Sequence, residues 1–393
     1  MKKLLLASAA ILLAAGAAGA EEIKIGVSLG FTGPLESMSP NMEKGALLAM
    51  KEVNESGQLL DGSTLVEVKA DNTCADAAAS VAAVERLASE GVKGIMGGMC
   101  SGETIASLEK VGVPQGIVMI SPSATSPALS TIEDQGFFFR TSPSDARQGE
   151  VMADIILERG IKSVAVTYTN NDYGKGLAES FEQAFKDKGG SVTMSAAHED
   201  GKADYAAEVA ALDAAGGDAL VVVGYVDQGG SGIVRGALDN EAFTTFVFPD
   251  GMIGQGLVDR FGAELETSFG QNPSSEGPGR DRFMEIAEAD GFDGSSAFAA
   301  ESYDATALIA LAMQAAKSSD PKVYKDKVAE IANAPGEKIM AGELAKGLEL
   351  LAAGTDIDYD GATGVELIGP GETAGVYREV DFKGGTLNVV KFH

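Results

Sequence analysis

A chain of 393 residues with 45% hydrophobic content is too long for one compact core and long enough for two. Its formal net charge of -28 repels nucleic acid and anionic lipid, which excludes both as natural partners. His198 and His393 are the only imidazoles and Cys74 and Cys100 the only thiols, so there is little material for histidine catalysis.

The N-terminus reads as a secretory signal peptide over residues 1–20. Lys2 and Lys3 precede an apolar run from Leu4 to Ala18, and Ala18-Gly19-Ala20 is a small-residue cleavage site. The mature chain then begins at Glu21 with a net charge of -28 - 2 = -30. No later apolar run has membrane length, so a soluble protein working outside the cytoplasm is expected. In an exported chain a lone cysteine pair is expected to be a disulfide, with two separate free thiols as the alternative. Such a bond would stabilise the fold by about 3 kcal/mol.

The first elements are a strand at Ile23–Leu29 and a helix at Met42–Val53, then a strand at Leu65–Ala70 and a helix at Ala75–Ser89. A strand at Gly94–Gly97, a helix at Glu103–Lys110 and a strand at Ile117–Ser121 complete this series. A second series starts after Phe137–Arg140. Helices at Val151–Arg159, Lys175–Lys188 and Tyr205–Ala215 alternate with strands at Ser163–Thr169, Val192–Ala196, Ala219–Gly224 and Thr244–Phe248. Gly270–Gly279 reads as a loop. Helices then dominate from Arg282 to Ala353, and Val376–Phe382 with Leu387–Phe392 alternate as a hairpin. Short continuous apolar strands are those of parallel sheets covered on both faces. The fold class is α/β: two doubly wound lobes with parallel central sheets, joined by a hinge of several crossings. The expected lobes are residues 21–142 with 252–365, and residues 143–251 with 366–393. The hinge then lies near Thr141, Gly251 and Val365.

Gly98-Met99-Cys100-Ser101-Gly102 lies between a strand and a helix, as a nucleophile elbow does. A cysteine hydrolase would need a free thiolate and a base such as His198. The same geometry can serve instead as an anion site, with free helix N–H groups and the Ser101 hydroxyl. Ser121–Pro127 follows the next strand, and Thr125 could face the same anion. Asn171–Gly174, Gly224-Tyr225 and Pro249-Asp250-Gly251 follow strands of the second series, as turns or as opposing walls with one carboxylate. No phosphate loop and no metal-ligand cluster is evident, so neither cofactor nor metal is expected.

Taken together, these markers resemble the periplasmic substrate-binding proteins of branched-chain amino-acid ABC importers, with the type I periplasmic binding protein fold. The resemblance rests on Ile23-Lys24-Ile25-Gly26 with Thr32-Gly33-Pro34, Asp71-Asn72-Thr73-Cys74, Gly97–Ser101 and Ser121–Pro127. Phe139-Arg140-Thr141, Asp172–Gly176 and Ser302-Tyr303-Asp304-Ala305 complete the set. It implies a Cys74–Cys100 disulfide beside the ligand and no enzyme activity. It implies that Ser101, Ser123, Ala124 and Thr125 meet a carboxylate, that Tyr173 and Tyr225 form walls, and that Asp250 meets an ammonium group. Met38 stands where the family has a tyrosine near the first helix. Glu301 falls where side-chain contacts are expected, or else on a solvated helix face. The implied function is periplasmic capture of a small amino acid for an inner-membrane ABC permease. A non-amino-acid carboxylate, amide or aromatic acid, or a ligand-sensing role, is the alternative.

Overall fold

The computed structural model describes residues 20–393. The signal-peptide reading lies outside the described residues, apart from Ala20.

The apolar runs become the buried strands of two seven-stranded sheets. The first sheet is built from β1 (Glu22–Leu29), β2 (Thr64–Asp71), β3 (Ile95–Gly97), β4 (Met119–Ser121) and β5 (Phe138–Pro143). The second uses β6 (Ser163–Thr169), β7 (Ser191–His198), β8 (Ala219–Val223), β9 (Phe246–Phe248) and β10 (Phe269–Pro273). A small parallel pair follows, β11 (Glu337–Met340) and β12 (Ile357–Gly361). The chain then returns to the first sheet with β13 (Leu367–Ile368) and β14 (Glu372–Thr373). It ends in the second with β15 (Tyr377–Asp381) and β16 (Asn388–Phe392). The orders are β13-β14-β5-β4-β3-β1-β2 and β16-β15-β10-β9-β8-β6-β7. β1–β5 pair in parallel, as do β6–β10; of the late strands, β14 joins β5 in parallel, and β13, β15 and β16 pair antiparallel. In each lobe the order reverses beside the first strand, which opens a crevice at the C-terminal strand ends.

Strand pairing moves two of the expected crossings. Residues 252–273 belong with the second lobe, because β10 lies between β9 and β15. Residues 366–375 carry β13 and β14, which extend the first sheet from β5. The chain therefore crosses after Pro143, Pro273 and Gly375, and the boundaries at 251 and 365 are incorrect. Phe269-Gly270-Gln271-Asn272-Pro273 has no strand-like pattern of its own. Neighbours on both sides complete its backbone hydrogen bonds and make it a strand.

Local chemistry fixes the helices that flank the crevice. Ser144 caps helix Asp145–Glu158 by accepting from the Ala146 N–H. Asn171 does the same for Asp172–Asp187, at 2.9 Å from the Gly174 nitrogen. Helix Ala299–Ala316 is buried from residue 299 through 314 and packs on helix Ser39–Ser56. Gly45 permits that approach, since a Cβ there would meet the Ala299 carbonyl oxygen at 2.2 Å. Gly97 ends β3 at φ +144°, where a Cβ would strike the Ser28 carbonyl.

Arg140 on β5 is buried and pairs with Glu372 on β14. Glu372→Ala would leave that guanidinium without its counter-ion. The expected loss is about 3–5 kcal/mol of unfolding free energy, measured by urea denaturation of the mature protein.

Candidate solute-binding site

The strand ends of the two lobes meet around a cavity of about 10 Å³. The first lobe lines it with Leu35, Met99, Cys100, Ser101, Ser123 and Phe298. The second lines it with Tyr173, Tyr225, Asp250 and Gly251. Cys74 and Cys100 are bonded, with Cα atoms 5.3 Å apart, so the wall carries no free thiol. That disposes of the cysteine-nucleophile reading. His198 is also unavailable: it sits at the end of β7, its Nδ1 is 2.8 Å from Thr167 Oγ1, and burial pushes its pKa down to about 4.

On the first lobe, Ser101 is the initial residue of a helix, and its Oγ accepts from the Ser126 N–H at 3.0 Å. Its own hydroxyl hydrogen remains available to donate. The loop Ser121–Pro127 is held from behind. Ser121 Oγ donates to the Gly98 carbonyl at 2.6 Å, and Arg140 Nη1 donates to the carbonyls of Ala124 and Ser126, each at 3.0 Å. Ser123 lines the cavity, but its hydroxyl is committed to the Met99 carbonyl at 2.8 Å. Ala124 is one layer back, with its N–H given to Ser121 Oγ at 2.9 Å. Thr125 is also buried behind the wall, and its Oγ1 has no partner among the described residues.

On the second lobe, Tyr173 and Tyr225 stack with ring centroids 5.3 Å apart. Tyr173 Oη donates to Asp250 Oδ1 at 2.7 Å, and Gln148 Nε2 donates to the same oxygen at 3.1 Å. Burial raises the pKa of Asp250, and these two donors oppose that rise.

Hydrogen bonds across the cleft hold it closed, among them one from Arg378 Nη2 to the Ser295 carbonyl at 3.0 Å. The Ser37 N–H donates to Asp227 Oδ2 at 2.9 Å, and the Asp227 N–H to the Pro34 carbonyl at 3.1 Å. Ser126 Oγ donates to the Asp172 carbonyl at 3.1 Å. A cavity of about 10 Å³ has room for about one water and is too small for a solute of amino-acid size.

Met38 and Glu301 do not line this cavity. Met38 packs across the cleft mouth, 3.7 Å from where a Gly254 Cβ would stand, because Leu35 takes the inner position. Glu301 lines a separate cavity of about 170 Å³ among the three crossings, with Thr141, Pro143, Pro273, Ser274 and Gly375. It is buried and does not lie on an exposed helix face. Sequence reasoning missed Leu35, Met99 and Phe298. Phe298 has φ +62°, just before the helix that carries Glu301, so the turn sends Phe298 to the site and Glu301 to the hinge.

The match to known proteins agrees with this architecture. Residues 22–343 match a family described as periplasmic binding protein, and the chain belongs to that family of non-enzymatic solute-binding proteins. It is 29% identical over 346 residues to the Leu/Ile/Val-binding protein homolog 1 of Brucella melitensis, covering 86% of this chain and 89% of that one. It is 28% identical over 333 residues to the leucine-, isoleucine-, valine-, threonine- and alanine-binding protein of Pseudomonas aeruginosa, covering 83% and 86%. The substrate-binding protein LivJ of Streptococcus pneumoniae, solved with isoleucine, superposes with a TM-score of 0.78. It is 25% identical, with 94% of this chain and 99% of that chain covered. A solute-binding protein of R. palustris solved with 4-hydroxybenzoate shares the fold, at TM-score 0.74, 17% identity and coverage of 95% and 97%. Among the described residues, no helix is long and apolar enough to cross a membrane.

Burial pushes the Glu301 pKa up to about 7 against the pull of Arg280. The folded state then holds a proton that the unfolded chain releases near pH 4.5, so stability falls as pH rises from 4.5 through 7. Glu301→Gln removes that loss. The variant is expected to be more stable than the parent by on the order of 2–3 kcal/mol at pH 8 and equal to it at pH 4, by urea denaturation at both values.

Proposed function

We propose that the chain is exported to the periplasm by residues 1–20, captures a small branched-chain amino acid between its lobes and delivers it to an inner-membrane ABC permease. The observation that carries this reading is the pairing of chemistries across one cavity. The first lobe offers an unspent Ser101 hydroxyl at a helix start, suited to a carboxylate. The second offers the buried Asp250 carboxylate, suited to an ammonium group. Leu35, Met99, Phe298 and the disulfide leave apolar surface between them for an aliphatic side chain. The curated relatives are named as binders of such amino acids, and that supports the choice. A plain aromatic acid would leave Asp250 without a cation.

A zwitterion bridging the lobes makes closure and binding one event. Closure removes water and strengthens both polar contacts. Micromolar affinity requires about -8 kcal/mol, within reach of a few charge-assisted hydrogen bonds and modest apolar burial.

The test is calorimetry with L-leucine, and with its deaminated analogue, on the mature protein and on Asp250→Asn. The substitution keeps shape and removes charge. Leucine binding is expected to weaken by about 3 kcal/mol or more, and binding of the deaminated analogue much less. Equal losses would make Asp250 a turn residue only. Tight benzoate binding without leucine binding would replace the amino-acid reading.

A further inference from the structure

Leu35 lines the first-lobe side of the cavity, yet it stands on a segment that its own lobe fastens lightly. Before it, Asp71 Oδ1 accepts from the N–H groups of Phe31 and Thr32 at 3.0 and 3.3 Å. After it, helix Ser39–Ser56 begins, and Ser39 Oγ donates to the Gly30 carbonyl at 2.6 Å. Between these anchors the backbone folds on itself. The Glu36 N–H donates to the Gly33 carbonyl at 3.3 Å, and the Met38 N–H to the Leu35 carbonyl at 3.0 Å. Among the described residues, the remaining hydrogen bonds of Pro34–Ser37 go to a single residue of the opposite lobe.

That residue is Asp227. Its N–H donates to the Pro34 carbonyl at 3.1 Å, and its Oδ2 accepts from the Ser37 N–H at 2.9 Å. One contact lies just before Leu35 and the other just after it. The Asp227 side chain is 5% exposed, and Arg260 holds it from behind: Arg260 Nη2 donates to Oδ1 at 2.7 Å, and Nη1 reaches the Val226 carbonyl. The carboxylate is thus oriented from within the second lobe. Gly256, on helix Gln255–Phe261, leaves room for the contact. A Cβ there would stand 3.3 Å from Ser37 Oγ and 3.7 Å from Asp227 Oδ1. A charged acceptor makes the Ser37 bond stronger than one between neutral groups. Without it, only the Pro34 contact and the local turn hold the segment, and backbone held by so few bonds opens readily.

We propose that Asp227 is a positioning residue for solute binding: from the opposite lobe it fixes Leu35 against the side chain of the solute. The role rests on the amino-acid reading above. Part of the fit to the solute side chain then comes from a residue outside the cavity lining. The wall at Leu35 is complete only when the lobes meet, so closure and selection are linked. A latch that merely shut the cleft would matter equally whatever residue stood at position 35. A positioning residue acts through Leu35, and its effect disappears when the Leu35 side chain is removed.

The experiment is calorimetry with L-leucine on the mature protein, Asp227→Ala, Leu35→Ala and the double variant. Asp227→Ala is expected to weaken binding about tenfold or more in the parent, and about threefold or less in the Leu35→Ala background. Gly256→Val drives a side chain between Ser37 and Asp227 and leaves both in place. It is expected to show the same pattern, and it decides the matter if Asp227→Ala does not fold. Amide hydrogen exchange over residues 34–38, with and without L-leucine, is expected to be about fivefold faster or more in Asp227→Ala than in the parent. Equal losses of affinity in the two backgrounds would make Asp227 a simple latch and overturn the proposal. So would leucine binding within about threefold of the parent in Asp227→Ala and Gly256→Val, or equal exchange under both conditions. Absence of leucine binding to the parent, with the exchange difference intact, would sink the amino-acid reading and leave the grip on the Leu35 segment in place.

Discussion

Arg140 stands where the first sheet hands the chain to the second lobe, and all five of its N–H donors are committed. Two go to the carbonyls of Ala124 and Ser126, one to Ser130 and two to Glu372. A planar guanidinium suits this task because its donors point in fixed directions. Through the two carbonyls it holds the loop behind the first-lobe wall of the cavity. Through Glu372 it holds β14, the last strand before the final crossing. One side chain thus connects the shape of the cavity wall to the last crossing between the lobes. A lysine would keep the charge but could not reach these partners together.

The closed cleft also poses an electrostatic problem. The chain carries a formal charge of -28, and the cavity wall itself includes Asp250. An uncompensated anion buried there would resist closure. A zwitterion adds no net charge, supplies a cation next to Asp250 and leaves its carboxylate to neutral donors. At the rim, Asp227 meets both the backbone of the opposite lobe and Arg260, at 2.7 Å. That carboxylate is therefore neutralised in its own lobe while it fastens the other.

Much of this was legible in the sequence, and the physics says why. Parallel strands covered on both faces are continuous apolar runs, so Ile23–Leu29 and Ala219–Val223 declare themselves. The residues just after such strands lie at the crevice, which located Ser101, Tyr173, Tyr225 and Asp250. What failed had no local signature. β10 is a strand because of its neighbours, and its Gly-Gln-Asn-Pro composition argues otherwise. Glu301 looked like a surface or ligand residue, although the nearly unbroken apolar run Ala305–Met313 already pointed to a helix with no wet face. Gln148 carries no motif, and only the packing of its helix against the loop after β9 of the same lobe brings it to Asp250.

The order of strands has a further consequence for biogenesis. The first sheet waits for β13 and β14, and helix Ser39–Ser56 waits for Ala299–Ala316, more than two hundred residues later. The second sheet waits for β15 and β16, which the last residues of the chain supply. A nascent polypeptide threaded in this way cannot complete either lobe while its end is still being made. Both sheets are therefore closed late, by strands far along the chain from those they complete.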